Sequence, residues 1–565
     1  MRLSSLATIF IILASGCAAP REPDRDLSHR TGLLIAGDEP ASPTIASEPV
    51  ASGIQLVSGQ DEDLSTPVKP PPAPAPRDSS RPTDGSKDPP GGTEDAVPEE
   101  RQADASVQTA ANRNGKLALQ AVIDSVHDSF PLVEAAYRET QIAAGNVIAA
   151  QGGFDTKLKA SSENGPTGFY QTYRQKAGVL QPLYGGGEVF GGYRIGRGDF
   201  EPWYRERQTN GGGEFKVGAS VPLLRNSDID ARRAALWRAN YDTQIAQPQI
   251  RGQLIGFTLD ASLAYWKWVA EGRKYFAERD WLALAEKRNS QIEIRFKKGD
   301  LGKPEVTDNQ RAIAKRKAKV VDQLRKVQQA AIKLSLFLRS ANGTPIVPAL
   351  EQLPEFPKPT RVDASQVDAD IGIALTQRPD LEVLRLVQQR LRVDLEEAQN
   401  MGLPKLDAYL VAGQDVGEPS SSKRDKSRFE VDLGLMFDVP VQRRKATGKM
   451  QAVQAKIAQV NAKERFTIDK ISAGVRAAFT GITQAYAQMQ QATRARELAE
   501  EMAKIERDRF RLGESDLLKV ALREQYSLDA VEGEVSALLN YFAARSQYYA
   551  EVGESRLPTP ADANE

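Results

Sequence analysis

The chain has little of what most chemistry needs. Its 565 residues include one cysteine and two histidines, so no intrachain disulfide can form and no paired imidazole site for a metal or for acid–base work is indicated. Net charge is absent too. The 75 basic and 75 acidic side chains balance to zero, and a neutral chain has no field that would gather nucleic acid. No apolar run reaches the ~20 residues of a membrane-spanning helix, which excludes a helical span but not the weak alternating signal of a membrane β-barrel. The glycine runs at Gly185-Gly186-Gly187 and Gly211-Gly212-Gly213 do not follow a buried strand and open a helix, so they read as turns rather than phosphate cradles. The many acids are interleaved with lysine and arginine on helical segments, the usual pattern of a solvated face. His127 reads as an ordinary satisfied or exposed helix residue. Catalysis, a cofactor and a metal all lack support.

The N-terminus is of another kind. Arg2 followed by the apolar run Leu6 to Ala14 is too short to cross a bilayer and reads as a signal peptide over residues 1–16, so the chain is expected to be exported. That run ends in Leu13-Ala14-Ser15-Gly16-Cys17, similar to the bacterial lipobox but with Ala14 where leucine is more usual. Cys17 is then the expected lipid acceptor. Residues 17–114 shift to Pro, Ser, Asp and Glu, include Pro70-Pro71-Pro72-Ala73-Pro74-Ala75-Pro76, and contain His29. Such a segment buries too little apolar surface to offset its ordering entropy, so a solvated tether is expected. The tail 554–565 is expected to be disordered as well.

Long helices dominate what remains. Lys449 to Leu512 contains no proline, and Ile468, Ile471, Val475, Phe479, Ile482, Tyr486 and Met489 recur at steps of three and four along it. After Gly513 the apolar stripe resumes to about Phe542. Arms of some 60 residues would each run ~90 Å, too long to wrap one compact core. Leu254, Phe257, Ala261, Ala264 and Trp268 step in the same way, as do Leu324, Val327, Ala331, Leu334 and Leu338. Between the earlier arms stands Arg295-Phe296-Lys297-Lys298-Gly299-Asp300. Between the later ones stands Arg509-Phe510-Arg511-Leu512-Gly513-Glu514. A glycine closing one helix just before the next suits a left-handed cap, so Gly299 and Gly513 read as hairpin tips.

Upstream of each hairpin the period falls to two. In the second copy, Lys405 to Gly413 and Glu430 to Val439 alternate as strands; in the first, Phe154–Ser161, Gln175–Leu183, Glu188–Ile195 and Glu214–Leu223 do so. Before the strands come shorter helical segments, about Leu117–Gln151 and Asp368–Met401, with Phe130-Pro131-Leu132 and Arg378-Pro379-Asp380-Leu381 at corresponding places. The order helix, strands, long helix, glycine tip, helix is therefore written twice, as an internal two-fold repeat. The repeats are placed at 115–345 and 367–553, with 346–366 as the linker between them.

These paired tips, together with the junctions Gln181-Pro182-Leu183, Val221-Pro222-Leu223 and Val439-Pro440-Val441 and the run Arg509 to Leu518, resemble the TolC family of bacterial outer-membrane channels over roughly Leu117 to Gly553. The resemblance implies a mainly α fold with a β portion. Long antiparallel helical hairpins would form a trimeric helical barrel in the periplasm, and a few strands per chain would complete a trimeric β-barrel in outer-membrane lipid. A bilayer tolerates only closed barrels, so three copies would supply the strands that one lacks. Four candidate strands in the first copy exceed the family's usual two, and the extra pair around Gly185–Phe200 is either additional wall or an extracellular hairpin. The implied partners are two further copies of the chain and an inner-membrane transporter with its periplasmic adaptor, in an efflux or type I secretion system. Lys298, Gly299, Asp300, Leu512, Gly513 and Glu514 would form the docking tips. Some relatives carry aspartates past the second tip; here Lys519 and Leu522 take those places, with Asp516 nearby, and Glu305 and Asp308 follow the first tip. Glu305, Asp308, Asp516 and Lys519 are thus the candidate pore-mouth charges, and the carboxylates among them would favour cations. The competing readings are a structural coiled-coil spacer of the envelope and a periplasmic adaptor without channel activity.

Overall fold

A computed structural model describes residues 115–200, 207–420 and 427–554. The signal segment, Cys17, His29, the tether and the tail from 555 onward lie outside the described residues. Eight α-helices and six strands make up the described chain in the order α1 (Leu119–Ser129), α2 (Pro131–Gln151), β1 (Lys157–Gly165), β2 (Thr172–Pro182), β3 (Glu188–Gly198), β4 (Glu214–Pro222), α3 (Ala231–Lys297), α4 (Lys303–Leu334), α5 (Val367–Gln377), α6 (Pro379–Asn400), β5 (Lys405–Asp415), β6 (Glu430–Asp438), α7 (Arg444–Leu512) and α8 (Leu517–Val552). No described helix is long and apolar enough to cross a membrane.

The two copies of the repeat differ from the sequence expectation first in the length of their arms. Helices α3 and α7 have 67 and 69 residues, about 100 Å each at the α-helical rise. Their return arms are only half as long, with 32 residues in α4 and 36 in α8. The other half of each long helix is covered from upstream: α2 packs on α3, α6 lies against both α3 and α7, and α5 lies on α7. A three-four stripe reveals which face is buried but not how many helices share the cover. The segments before the strands are also split in two. Phe130 and Arg378 have extended backbone (ψ 122° and 124°), and Pro131 and Pro379 open the next helix, because a proline disfavours helical geometry in the residue before it yet suits a first helical position.

All six strands join one antiparallel sheet in sequential order, β1 to β6. The pair expected as either wall or loop is therefore part of the sheet, with β2 in continuous register with β1 and β3. Two interior glycines have a steric reason. A Cβ on Gly218 would stand 2.5 Å from the Phe190 ring, and one on Gly434 would stand 2.3 Å from the Tyr409 ring.

The main core lies midway along the helices, where Trp268, Tyr541 and Phe542 are fully buried. The linker contributes to it directly. Phe356 stacks on Trp266 and Phe542 at 5.9 and 5.5 Å between ring centres, and the Tyr541 hydroxyl donates to the Thr360 carbonyl at 2.6 Å. Gly272 is small for a reason visible here: a Cβ would come within 2.5 Å of the Leu353 methyl groups.

Candidate functional site

Both hairpin tips close in the same way. Gly299 and Gly513 have φ of 85° and 84°, the left-handed region open to glycine. Gly299 N donates to Phe296 O at 2.9 Å and Asp300 N to Arg295 O at 3.0 Å; Gly513 N donates to Phe510 O at 3.1 Å and Glu514 N to Arg509 O at 2.9 Å. This pair of bonds is the Schellman cap, which satisfies the last carbonyls of each long helix. The resemblance between the two sequence words is thus a resemblance of backbone structure. Lys298, Gly299, Asp300, Leu512, Gly513 and Glu514 are all exposed.

The fold brings the two tips together. The Arg295 guanidinium lies 5.3 Å from the centre of the Phe510 ring. Behind this contact is a cleft of about 680 Å³ between the hairpins, lined among others by Arg288, Ile292, Phe510 and Glu524. The candidate mouth charges take different places. Asp516 is the N-cap of α8, accepting from Lys519 N at 2.8 Å while its carboxylate meets Lys519 Nζ at 3.0 Å; that backbone bond holds its pKa below the usual carboxylate range. Asp308 pairs with Arg311 at 3.2 Å. Glu305 stands exposed in the first turn of α4.

One cluster escaped the sequence reading. Glu524 on α8 is 1 % exposed and lies 2.8 Å from Arg288 of α3, 3.8 Å from Arg316 of α4 and 3.8 Å from Arg507 of α7. Arg316 and Arg507 also face the Trp281 ring, at 6.0 and 5.8 Å. One carboxylate thereby ties all four helices together, about three turns from Gly513. Neither of its oxygens has a hydrogen-bond partner among the described residues, so the tie is one of charge. Burial holds the Arg316 guanidinium below its ordinary pKa, and Glu524 opposes that shift. Nearby, burial pushes the Glu278 carboxyl up; Lys319, 3.4 Å away, works against this while Glu532 adds to it. The interleaved charges are therefore not all a solvated face. No spacing marks Glu524 in the sequence, because every exposed helix turn carries similar acids and bases. His127 also differs from its expected role: its Nε2 is buried without a hydrogen-bond partner among the described residues.

The sheet carries the second candidate feature. Its register sorts the strands into two faces. One face holds Leu158, Ala160, Ala177, Val179, Val189, Val217, Ala219, Leu410, Ala412, Val431, Leu433, Leu435 and Phe437, and among the described strand residues Arg197 is the only charged one on it. Nothing in the described chain covers that face: Leu158, Leu433 and Phe437 are 83 %, 76 % and 67 % exposed. The opposite face carries Lys157, Lys159, Arg174, Lys176, Arg194, Lys216, Glu214, Asp407, Glu430 and Asp432, with Glu214 paired to Arg194 and, at 3.2 Å, to Lys216. No grouping of residues that could hold a metal ion occurs among the described residues.

No protein-family model matches the chain, and no curated protein sequence matches it. Solved structures do. The outer membrane protein VceC of Vibrio cholerae superimposes with a TM-score of 0.56 at 15 % identity, over 77 % of this chain and 96 % of that one. The CmeC outer membrane channel of Campylobacter jejuni gives 0.54 at 14 % identity, over 77 % and 85 %. The open state of the MtrE outer membrane channel of Neisseria gonorrhoeae gives 0.54 at 15 % identity, over 77 % and 89 %.

Proposed function

We propose that this chain, which has the fold of the TolC-family outer-membrane channels, is the outer-membrane component of a tripartite efflux or secretion system. It would serve as a passive conduit that an inner-membrane pump and its adaptor open. The observation that carries this reading is the uncovered apolar face of a sheet whose other face is charged. In water such a face would be a large exposed patch, whereas in lipid it is the outside of a barrel wall. A soluble spacer or adaptor would have no use for it.

A single copy leaves β1 and β6 as open edges, which no bilayer accepts. The strand number is even, so β1 and β6 run in opposite directions, and the β6 edge of one copy can pair antiparallel with β1 of the next. Three copies close the ring. The helices offer a matching argument: Leu498, Met502 and Ile505 on α7 and Leu518, Leu522 and Tyr526 on α8 are exposed at steps of three and four, stripes suited to packing against another copy. A heat-modifiable trimer in the outer-membrane fraction is expected, and a soluble monomer would favour a spacer or adaptor instead.

The exposed tips would dock the adaptor, and the Glu524 cluster behind them would hold the two hairpins of a chain together while the mouth is closed. Replacing Gly299 and Gly513 together by leucine meets open space, with no atom within 4 Å of either added Cβ, but forces a left-handed backbone on a side chain at a cost of ~1–2 kcal/mol each. Export is expected to fall at least tenfold, with the trimer intact; undiminished export would remove the tips from the docking role. Of the mouth charges, Glu305 has the clearest path to act on ions, since Asp308 and Asp516 have cationic neighbours. Glu305→Gln is expected to move the reversal potential toward less cation preference, and an unmoved potential would end that assignment.

A further inference from the structure

We infer that the β2–β3 hairpin sets the bore of the membrane section, making the wall an 18-stranded barrel, six strands from each of three copies. This rests on the channel reading above and adds to it a size class of cargo. Three observations carry it. First, the hairpin is built into the wall, since the sheet order β1-β2-β3-β4-β5-β6 places it between the strands that would otherwise be neighbours. β2 pairs with β1 from Thr172 to Leu180, and β3 pairs with β4 from Glu188 to Arg194. Second, the two-faced pattern runs through it without a break. Val179 and Val189 continue the apolar face, while Lys176 and Arg194 continue the charged one; a flap lying outside the membrane would have no need of this. The turn joining the two strands is tied to the start of α3, with Trp237 Nε1 donating to the Tyr184 hydroxyl at 3.1 Å. Gly187 is packed so closely against β4 that a Cβ would meet the Ser220 carbonyl oxygen at 2.1 Å.

The third observation is a match of widths. Next to the sheet each chain presents four helices, packed in the order α2, α3, α6, α7. At ~9–10 Å between axes these span an arc of ~36–40 Å. Six strands spaced ~4.8 Å apart and tilted by ~40° span ~38 Å. Four strands would span only ~25 Å by the same geometry. Six strands therefore continue the helical tube without a taper. Closed threefold, they give a backbone diameter of ~36 Å against ~24 Å for twelve strands at equal tilt. The membrane section is then no narrower than the helical tube behind it, and cargo is sieved at the tips. A bore of this size passes bulky solutes or extended polypeptide as readily as small drugs.

The chain offers a clean test. Asp199 N donates to Gln171 O at 2.8 Å, so the ends left by deleting residues 172–198 already lie side by side. The deletion leaves β1 and β4 antiparallel and the strand number even. Sections through the membrane part of electron cryomicroscopy reconstructions are expected to show a ring ~36 Å across in the detergent-purified full chain and a ring ~24 Å across in the deletion variant. A ring of ~24 Å in the full chain would overturn the inference while leaving the channel reading in place, as would equal diameters in both proteins. An absence of rings in the full chain would overturn both. Should the deletion variant fail to assemble, the diameter of the full-chain ring decides alone.

Discussion

Glu524→Ala is expected to turn a predominantly closed channel into a leaking one. The carboxylate lies between Arg288, Arg316 and Arg507, and its removal leaves three guanidinium groups facing one another, of which Arg288 and Arg316 are largely shielded from water. Breaking a buried ion pair by deleting one partner costs about 3–5 kcal/mol. Much of that cost would be relieved if the hairpins part, so on the proposed latch role the penalty would fall on the closed arrangement. Even ~3 kcal/mol of differential destabilisation changes the ratio of open to closed by about two orders of magnitude. Single-channel recording should show a rise in open probability of at least tenfold over the parent, and the purified variant should remain trimeric. A companion variant lowers the residual charge: Glu524→Leu combined with Arg288→Leu removes the closest pair together and leaves two guanidinium groups facing one another rather than three. It should therefore leak less than Glu524→Ala. An open probability equal to that of the parent in Glu524→Ala would show that the cluster does not latch the mouth.

The second large effect belongs to the sheet. Leu433 stands at the middle of β6, on the apolar face and 76 % exposed. An arginine on the lipid face near the bilayer midplane costs ~2–4 kcal/mol, so Leu433→Arg should lower the stability of the lipid-inserted protein by that amount in denaturant titrations from vesicles. Its neighbour Asp432 points to the opposite face, and Asp432→Asn should change stability by no more than ~0.5 kcal/mol. The contrast between adjacent residues carries the meaning. If both changes proved mild, lipid would not be what the apolar face meets; if both proved severe, the two faces would not be distinct in the assembled protein.

Much of the architecture was legible because it depends on local signals repeated many times. The steps of three and four through Ile471, Val475 and Ile482 mark a buried seam, and all three are nearly inaccessible in the structure. The alternation in β6 placed every strand residue on its correct face. Gly299 and Gly513 were readable as tips because a left-handed cap favours a glycine whatever surrounds it. What escaped depends on contacts between distant parts of the chain. The return arms α4 and α8 cover only half of α3 and α7, and the stripes of α3 and α7 are continued under α2, α5 and α6, which no periodicity announces. The β2–β3 hairpin looked equally suited to wall or loop until its register with β1 and β4 was known. Glu524 is indistinguishable in sequence from other glutamates on a charged helix; only the convergence of four helices makes it a buried tie. Asp516, a plausible mouth charge from its position, is engaged as an N-cap.

The central claim is that three copies of this chain seal a single hole through a membrane. Its most direct test is current through a planar lipid film to which the detergent-purified full chain has been added. Discrete conductance steps from a protein that sizes as a trimer are the predicted result. A silent film, or a protein that remains monomeric in detergent, would contradict it.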